Sequence, residues 1–283
     1  MLLHFLVAES ETADQREARR AHAGKSSGES YAATLAQLRP GADITIIAPA
    51  DDDAEILDAA AIGAFDAVFV TGSPLHVYDD TPEVRRQLAF MRTVFASRTP
   101  SFGSCAGLQL AVAAAGGKVR KMPERMEAGV ARRITPTEAG RDHPLLAGRP
   151  PSWDAPAIHG DEVEELPVDA VLLAGNAVTA IQAAEIRHDG GMFWGVQYHP
   201  ELAPGEIAVA LRRQAPDLID AGLARNDDEV EAMAARLDDL HDAPDRRSAA
   251  WALGVDRSFA QDSNRRLELT NFLDHLPRSP DRD

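Results

Sequence analysis

Four short, almost purely apolar runs punctuate the first hundred residues: LLHFLVA at 2–8, DITIIA at 43–48, DAVFVT at 66–71 and PSFGS at 100–104. Runs of this length and character are strands covered on both faces, the situation of a parallel sheet packed between helices. The intervals leave room for the crossover helices that such a sheet requires, and 28–38, 52–63 and 81–96 read as helical. The sequence Thr81-Pro82-Glu83 carries a full start signal: a capping threonine, proline at the first helical position and an acid in the first turn. This βαβα order predicts an α/β fold, a doubly wound sheet flanked by helices.

After about residue 117 the pattern changes. KVRK, GVARRIT, DAPAIH, AVLLA, AIQAAEI and MFWGVQY are short strand-like segments joined by turns, so this half is expected to pair largely antiparallel and to make the sheet mixed. From about residue 206 the chain becomes helical and more charged. Val230, Met233, Ala234 and Leu237 follow helical spacing, and apolar residues recur from Trp251 to Leu276. The expected division is a catalytic domain at 1–205 and a helical C-terminal extension at 206–283. The extension either packs on the core as a further layer or offers a docking surface to a partner chain. No internal repeat or low-complexity linker interrupts the chain.

Composition narrows the classes. An apolar share of 45% supports a substantial core. With 29 basic against 45 acidic residues, nucleic acid and anionic membranes are repelled on average, so neither is an expected partner. No apolar run approaches the roughly 20 residues of a membrane span. No N-terminal stretch combines basic residues, an apolar run and a small-residue cleavage site, so no leader is expected. The single cysteine rules out an intramolecular disulfide framework and suits a reducing, cytoplasmic setting. Self-association into a homo-oligomer stays open.

That cysteine stands in Gly103-Ser104-Cys105-Ala106-Gly107, a G-x-C-x-G segment at the end of an apolar strand and the start of a helix. This is the thiol counterpart of the strand-to-helix turn G-x-S-x-G, whose glycines let backbone pass close to a strained nucleophile. A helix beginning at Cys105 aims unpaired N–H groups and its positive dipole end at the sulfur. A free thiol, with a pKa of about 8.5, is only a few per cent thiolate at neutral pH, so such an environment raises the supply of nucleophile. The bland alternative is a cysteine packed as a small hydrophobe.

The segment MFWGVQYHPE at 192–201 bears on the choice. An apolar strand delivers His199-Pro200-Glu201, and residues i and i+2 of an extended chain point the same way, so imidazole and carboxylate can lie side by side. Pro200 restricts the turn between them. A histidine that moves a proton, oriented by an acid, is the apparatus a cysteine nucleophile needs. Upstream, DAVFVT ends in TGSPLHVYDD at 71–80, where Gly72-Ser73-Pro74 turns sharply beside the strand carrying Cys105. A backbone N–H here, with that of Ala106, could bind a developing oxyanion, although TGSP is also an ordinary turn sequence. The stretch GKSS at 24–27 lacks the first glycine of a phosphate-binding loop, with Arg19 at that position. The nine histidines show no metal-site spacing. No cofactor and no metal are expected.

The residues G-x-C-x-G-x-Q at 103–109, H-P-E at 199–201 and G-x-P at 72–74, in this order, resemble the class I (triad-type) glutamine amidotransferase family, and within it the glutaminase part of GMP synthase. The resemblance spans roughly residues 40–205 and implies a flavodoxin-like mixed sheet. It implies Cys105 as nucleophile, His199 as general base and acid, and Glu201 as the residue that orients it. Ser73 and Ala106 would supply oxyanion N–H groups. Gly72, Gln109, His159, Gly160 and Asp161 would bind substrate, the last three from AIHGDEV at 157–163, which resembles a family loop ahead of the last strands. The implied activity is hydrolysis of the side-chain amide of L-glutamine through a thioester, with ammonia passed to an acceptor on a separate synthetase subunit. A free-standing γ-glutamyl peptidase or hydrolase acting on γ-glutamyl amides uses the same groups, and a non-catalytic binding module is a third reading. Two departures stand out: Ser73 replaces the second glycine of the family's Gly-Gly-Pro turn, and Ala106 and Leu108 replace residues that are often bulkier or polar, which would widen the pocket.

Overall fold

The structure is a computed structural model and describes residues 2–124 and 126–277. β1 (His4–Ala8) is followed by α1 (Ala13–Ala23), α2 (Ser27–Leu38), β2 (Asp43–Ile47), α3 (Ala59–Ile62), β3 (Ala67–Val70), α4 (Pro82–Ser97), β4 (Ser101–Ser104) and α5 (Ala106–Ala114). Then come β5 (Lys118–Lys121), β6 (Glu127–Pro136), α6 (Glu138–Arg141), β7 (Trp153–His159), β8 (Asp161–Glu165), β9 (Val171–Gly175), β10 (Ala183–His188) and β11 (Gly191–Val196). The C-terminal part holds α7 (Pro204–Arg213), α8 (Ala215–Asp220), α9 (Asp227–Asp242), α10 (Arg247–Leu253), α11 (Arg257–Ala260), α12 (Asp262–Arg265) and α13 (Leu267–His275).

Among the described residues the main sheet has nine strands in the order β2-β1-β3-β4-β11-β10-β9-β6-β7. β2, β1, β3, β4 and β11 run parallel, and the other pairings are antiparallel, giving the expected mixed sheet. β5 and β8 form a separate antiparallel ribbon. The order matters for function: β1, β3, β4 and β11 all end at one edge, the edge where open α/β sheets build their sites.

β1, β3 and β4 are buried as their apolar runs predict, but β2 is not. It is the sheet's edge strand, and Ile46 is 40% exposed. The 52–63 helix shrinks to α3. Three consecutive aspartates favour turns over helix interior, and Asp58 caps α3 by accepting the Ala61 N–H at 2.8 Å. Helix α1 is an addition to the expected helices; none of its residues is buried, so its sequence carries no apolar stripe. GKSS serves helix boundaries instead of phosphate: Gly24 closes α1, and Ser26 caps α2 in a capping box with Glu29.

One face of the sheet is covered by Tyr31 and Leu35 of α2 together with Leu269, Phe272 and Leu273 of α13. The Phe272 ring touches Phe69 of β3 and Phe102 of β4, both at 5.5 Å between centroids, and Trp194 of β11 at 5.8 Å. The opposite face is covered by α4 and α5 through Met91, Val94, Phe95 and Leu108. A third cluster joins α7 to α9 through Ile207, Leu211, Val230, Ala234, Leu237 and Leu240. Met233, on the same helix, is only partly buried. Among the described residues no helix is long and apolar enough to cross a membrane.

Candidate active site

Cys105 sits where β4 becomes α5, with φ 54° and ψ −111°. An L-residue occupies this region only under constraint. The constraint is visible: the Cys105 N–H donates to the Val196 carbonyl at the end of β11 at 2.8 Å, and the Cys105 carbonyl accepts the first helical bond from Gln109 at 3.1 Å. The flanking glycines permit it. A Cβ on Gly107 would lie 2.4 Å from the Val70 carbonyl oxygen, and one on Gly103 2.7 Å from the Phe193 ring. A side chain at 107 would push α5 off the sheet, and one at 103 would crowd the Phe193 ring and the backbone of Gly107.

His199 arrives from β11, its N–H donating to the Pro156 carbonyl at 2.8 Å. Its Nδ1 donates to Oε1 of Glu201 at 2.7 Å, and the ring shares the space above Gly72 with Cys105, near enough for the two groups to interact. The three side chains, predicted from two separate motifs, are therefore brought together, and all three are buried. Burial by itself disfavours the imidazolium. The charge of Glu201, the hydrogen bond to it and the nearby Cys105 outweigh it, and the His199 pKa is pushed up to about 10. Glu201 has its second oxygen, Oε2, occupied by the Ser104 hydroxyl at 2.8 Å. Gly72 passes directly under the pair; a Cβ there would be 2.8 Å from Cε1 of His199 and 3.5 Å from the Cys105 Cβ.

Ser73 closes its own turn: its hydroxyl accepts the Leu75 N–H at 3.1 Å. The hydroxyl therefore compensates locally for the missing glycine. Ala106 is the first residue of α5 and is buried, adjoining the thiol. Leu108 does not widen the pocket, because it is buried against Gly195 in the core with Phe193.

The 157–163 segment is not a loop. It is the end of β7, a turn at Gly160 and the start of β8. Asp161, Glu162 and Val163 are all buried and pair with Lys121, Arg120 and Val119 of β5, and this pairing holds the segment extended. Gln109 reaches it, its Nε2 donating at 3.2 Å to both the Asp161 carbonyl and Oε1 of Gln197. The Gly160 carbonyl accepts the Met122 N–H at 2.8 Å. His159 turns away into a buried polar cluster: Nδ1 meets the Asp161 carbonyl at 2.9 Å and Nε2 meets Oε2 of Glu127 at 3.2 Å. Glu127 also accepts from Asn176, Thr179 and Gln182. Burial would raise its pKa, but His159 and these amides hold it below the usual value. The His159 ring thus braces the turn and has both nitrogens committed.

Two residues that the motifs did not single out complete this rim. Nδ1 of His76 lies 2.6 Å from Oδ2 of Asp161, and the Tyr78 hydroxyl donates to Oδ1 at 3.0 Å, the two rings stacked at 5.4 Å. They follow the Gly72-Ser73-Pro74 turn by only a few residues, so the loop is pinned to Cys105 and His199 at one end and to Asp161 at the other. Their presence in TGSPLHVYDD was the only signal, and nothing in it named Asp161 as their partner.

The geometry accords with comparisons to known proteins. Residues 23–214 match the family Glutamine amidotransferase class-I. The chain is 35% identical over 281 residues to a γ-glutamyl-L-1-hydroxyisopropylamide hydrolase of a Pseudomonas species, covering 97% of this chain and 93% of that protein. It is 31% identical over 193 residues to the glutamine-hydrolysing GMP synthase of Porphyromonas gingivalis, covering 68% of this chain but 36% of that one. The chain thus spans only about a third of such a synthase. Among solved structures, a glutamine amidotransferase from Thermotoga maritima superimposes with a TM-score of 0.66 at 12% identity, covering 99% of this chain and all of that one, which speaks for the fold. The chain belongs to the class I glutamine amidotransferase family and is an amide-hydrolysing enzyme.

Proposed function

We propose that the chain cleaves the γ-amide of glutamine and of substituted γ-glutamyl amines through a thioester on Cys105. The observation that carries this reading is the meeting of Cys105, His199 and Glu201, with the imidazolium favoured well beyond neutral pH. The Cys105 sulfur attacks the amide carbonyl carbon, and the carbonyl oxygen takes the negative charge. Backbone N–H groups of Ser73 and Ala106 receive that oxyanion, a contribution of roughly 10²–10³ in rate per donor. His199, held by Glu201, gives its proton to the departing nitrogen as the C–N bond breaks. Water then attacks the thioester with His199 as base, releasing glutamate and restoring the thiol. Gly72, Gln109, Gly160 and Asp161 line the substrate side, His159 bracing the turn from behind.

The leaving group separates two forms of the reaction. A subunit releasing ammonia to a separate synthetase is supported by the similarity to GMP synthases. A free-standing hydrolase of substituted γ-glutamyl amides is supported by the Pseudomonas relative, whose similarity runs through 97% of the chain where the Porphyromonas synthase reaches 68%. That breadth includes the C-terminal helices, and we favour the free-standing form. The test is intact-mass trapping of a γ-glutamyl adduct on Cys105 during turnover. Adduct and activity both vanish in Cys105→Ala; an active Cys105→Ala enzyme overturns the reading.

A further inference from the structure

We propose that Ser104 and Tyr31 form a hydrogen-bonded arm behind the reacting residues, positioning Glu201 and, through it, His199. The inference rests on the reading that Cys105, His199 and Glu201 carry the chemistry, and it adds two residues that touch no substrate.

The arm is continuous. Tyr31 of α2 places its hydroxyl 3.3 Å from the Ser104 Oγ, and Ser104 donates to Oε2 of Glu201 at 2.8 Å. Oε1 of the same carboxylate receives the His199 Nδ1–H at 2.7 Å. Thr34, one helical turn after Tyr31, donates its hydroxyl to the Glu201 carbonyl at 3.4 Å. Tyr31 and Ser104 are completely buried, and Glu201 is 4% exposed.

The direction of each bond follows from chemistry. An ionised carboxylate only accepts, so Ser104 spends its one proton on Glu201 and its lone pairs are left to accept from Tyr31. Burial and the Glu201 charge push Tyr31 well above its usual pKa, and the phenol stays a donor. The Glu201 carboxylate, reached through a flexible side chain, thus has both oxygens fixed from opposite sides. With an apolar residue at 104, Oε2 would be a buried acceptor without this donor, and the plane of the carboxylate would be free to turn. Ser104 also neighbours Cys105 in the chain, so one peptide unit ties the nucleophile to the acid that orients its partner.

The measurement is a double-mutant cycle on steady-state kinetics with a γ-glutamyl amide, using Ser104→Ala, Tyr31→Phe and the pair. Ser104→Ala is expected to lower kcat by about 10–100-fold, the scale seen for hydrogen-bond partners one step behind metal-binding side chains, with KM changed less than about twofold. Tyr31→Phe lowers kcat less, and adds nothing once Ser104 is alanine, because its proton then has no place in the arm. Ser104→Thr, which keeps the hydroxyl, restores most of kcat. A second readout needs no substrate: iodoacetamide alkylation of Cys105 across pH, whose profile shifts in Ser104→Ala. If Ser104→Ala fails to fold, Tyr31→Phe, which preserves shape, carries both measurements. Unchanged kcat and an unchanged alkylation profile overturn the arm, as do effects that simply multiply in the double mutant. A wild-type enzyme that cleaves no γ-glutamyl amide would instead overturn the proposed function, with the alkylation profile still deciding on the arm.

Discussion

Gly72 lies so close beneath His199 that a single added carbon would reach 2.8 Å from Cε1 of the ring. The same carbon would be 3.5 Å from the Cys105 Cβ, so the space is filled by both side chains that act on the amide. Gly72→Ala is therefore expected to displace the imidazole while leaving the fold intact. Misplacement of a reacting group by about 1 Å costs on the order of 10²-fold, and kcat/KM should fall by at least that factor. Wild-type kinetics in Gly72→Ala, with unchanged thermal stability, would contradict the placement of His199.

His199 and Glu201 should differ in weight. Removing the imidazole in His199→Ala eliminates the proton carrier, worth roughly 10²–10⁴ in rate by general acid–base catalysis alone. Glu201→Gln leaves the ring and still fills the space between Ser104 and His199, but loses the charge that supports the imidazolium, so the loss is smaller. Measured kcat values for the two variants check the order; equal and negligible losses would overturn the roles proposed for both.

The raised pKa of His199 sets a pH dependence. Its folded value, about 10, lies above the ordinary 6.5, so the proton is bound more tightly in the native state. The stability this contributes is fully present below pH 6.5, declines as pH rises beyond it, and is gone above about 10. The imidazolium that protonates the leaving amine persists across the same range. Activity on a γ-glutamyl amide should hold through pH 9 and fall with a midpoint near 10. The stability gap between wild type and His199→Gln, from urea titrations, should narrow over pH 6.5–10; a constant gap would show that the ring is not charged in the folded enzyme.

How far the sequence reveals this molecule depends on which contacts are local. The G-x-C-x-G turn and His199-Pro200-Glu201 each hold their geometry within a few residues, so they could be read directly, and so could the parallel strands with their unbroken apolar runs. Ser104 was visible only as the unspecified residue before Cys105, because its partners Tyr31 and Glu201 come from distant segments. His76 and Tyr78 meet Asp161 across more than 80 residues, and Glu127 meets His159 across a β6–β7 pairing. Polar contacts of this kind leave no periodicity. The recurrence of apolar residues from Trp251 to Leu276 is readable in the sequence, but not that Leu269, Phe272 and Leu273 among them cover the sheet face behind β3, β4 and β11.

That destination gives the C-terminal helix a structural role with a measurable size. Phe272 is 1% exposed among Phe69, Phe102 and Trp194, on strands leading to Gly72, Cys105 and His199. Glu268 of the same helix accepts from Arg149 at 2.7 and 2.5 Å and from the Tyr198 hydroxyl at 2.7 Å, next to His199. Phe272→Ala should cost about 3–5 kcal/mol in urea unfolding. Glu268→Ala, which leaves the buried Arg149 without its carboxylate, should cost a similar amount, about 3–5 kcal/mol. Truncation before α13 uncovers the apolar face and should cause aggregation. A truncated chain that stays monodisperse and fully active would show that the sheet does not need this cover.

The choice of leaving group can be settled on the isolated protein. A subunit that feeds ammonia to a separate synthetase should turn over glutamine slowly when alone, since free hydrolysis discards the product its partner needs. Its oxyanion donor at Ser73 would then await a docking partner. The structure gives little reason for such waiting: the Ser73 hydroxyl already closes the turn on the Leu75 N–H, and His76 and Tyr78 already pin the loop to Asp161. Those contacts favour a loop set without a partner, as in a free-standing hydrolase. The expected outcome is rapid cleavage of γ-glutamyl alkylamides and anilides by the purified chain, with kcat/KM for glutamine lower by at least tenfold. Loosening the loop by Asp161→Ala should then reduce kcat/KM for all these substrates together. Glutamine preferred over every substituted amide, with turnover rising only when a synthetase is added, would reverse the assignment in favour of the ammonia-supplying subunit.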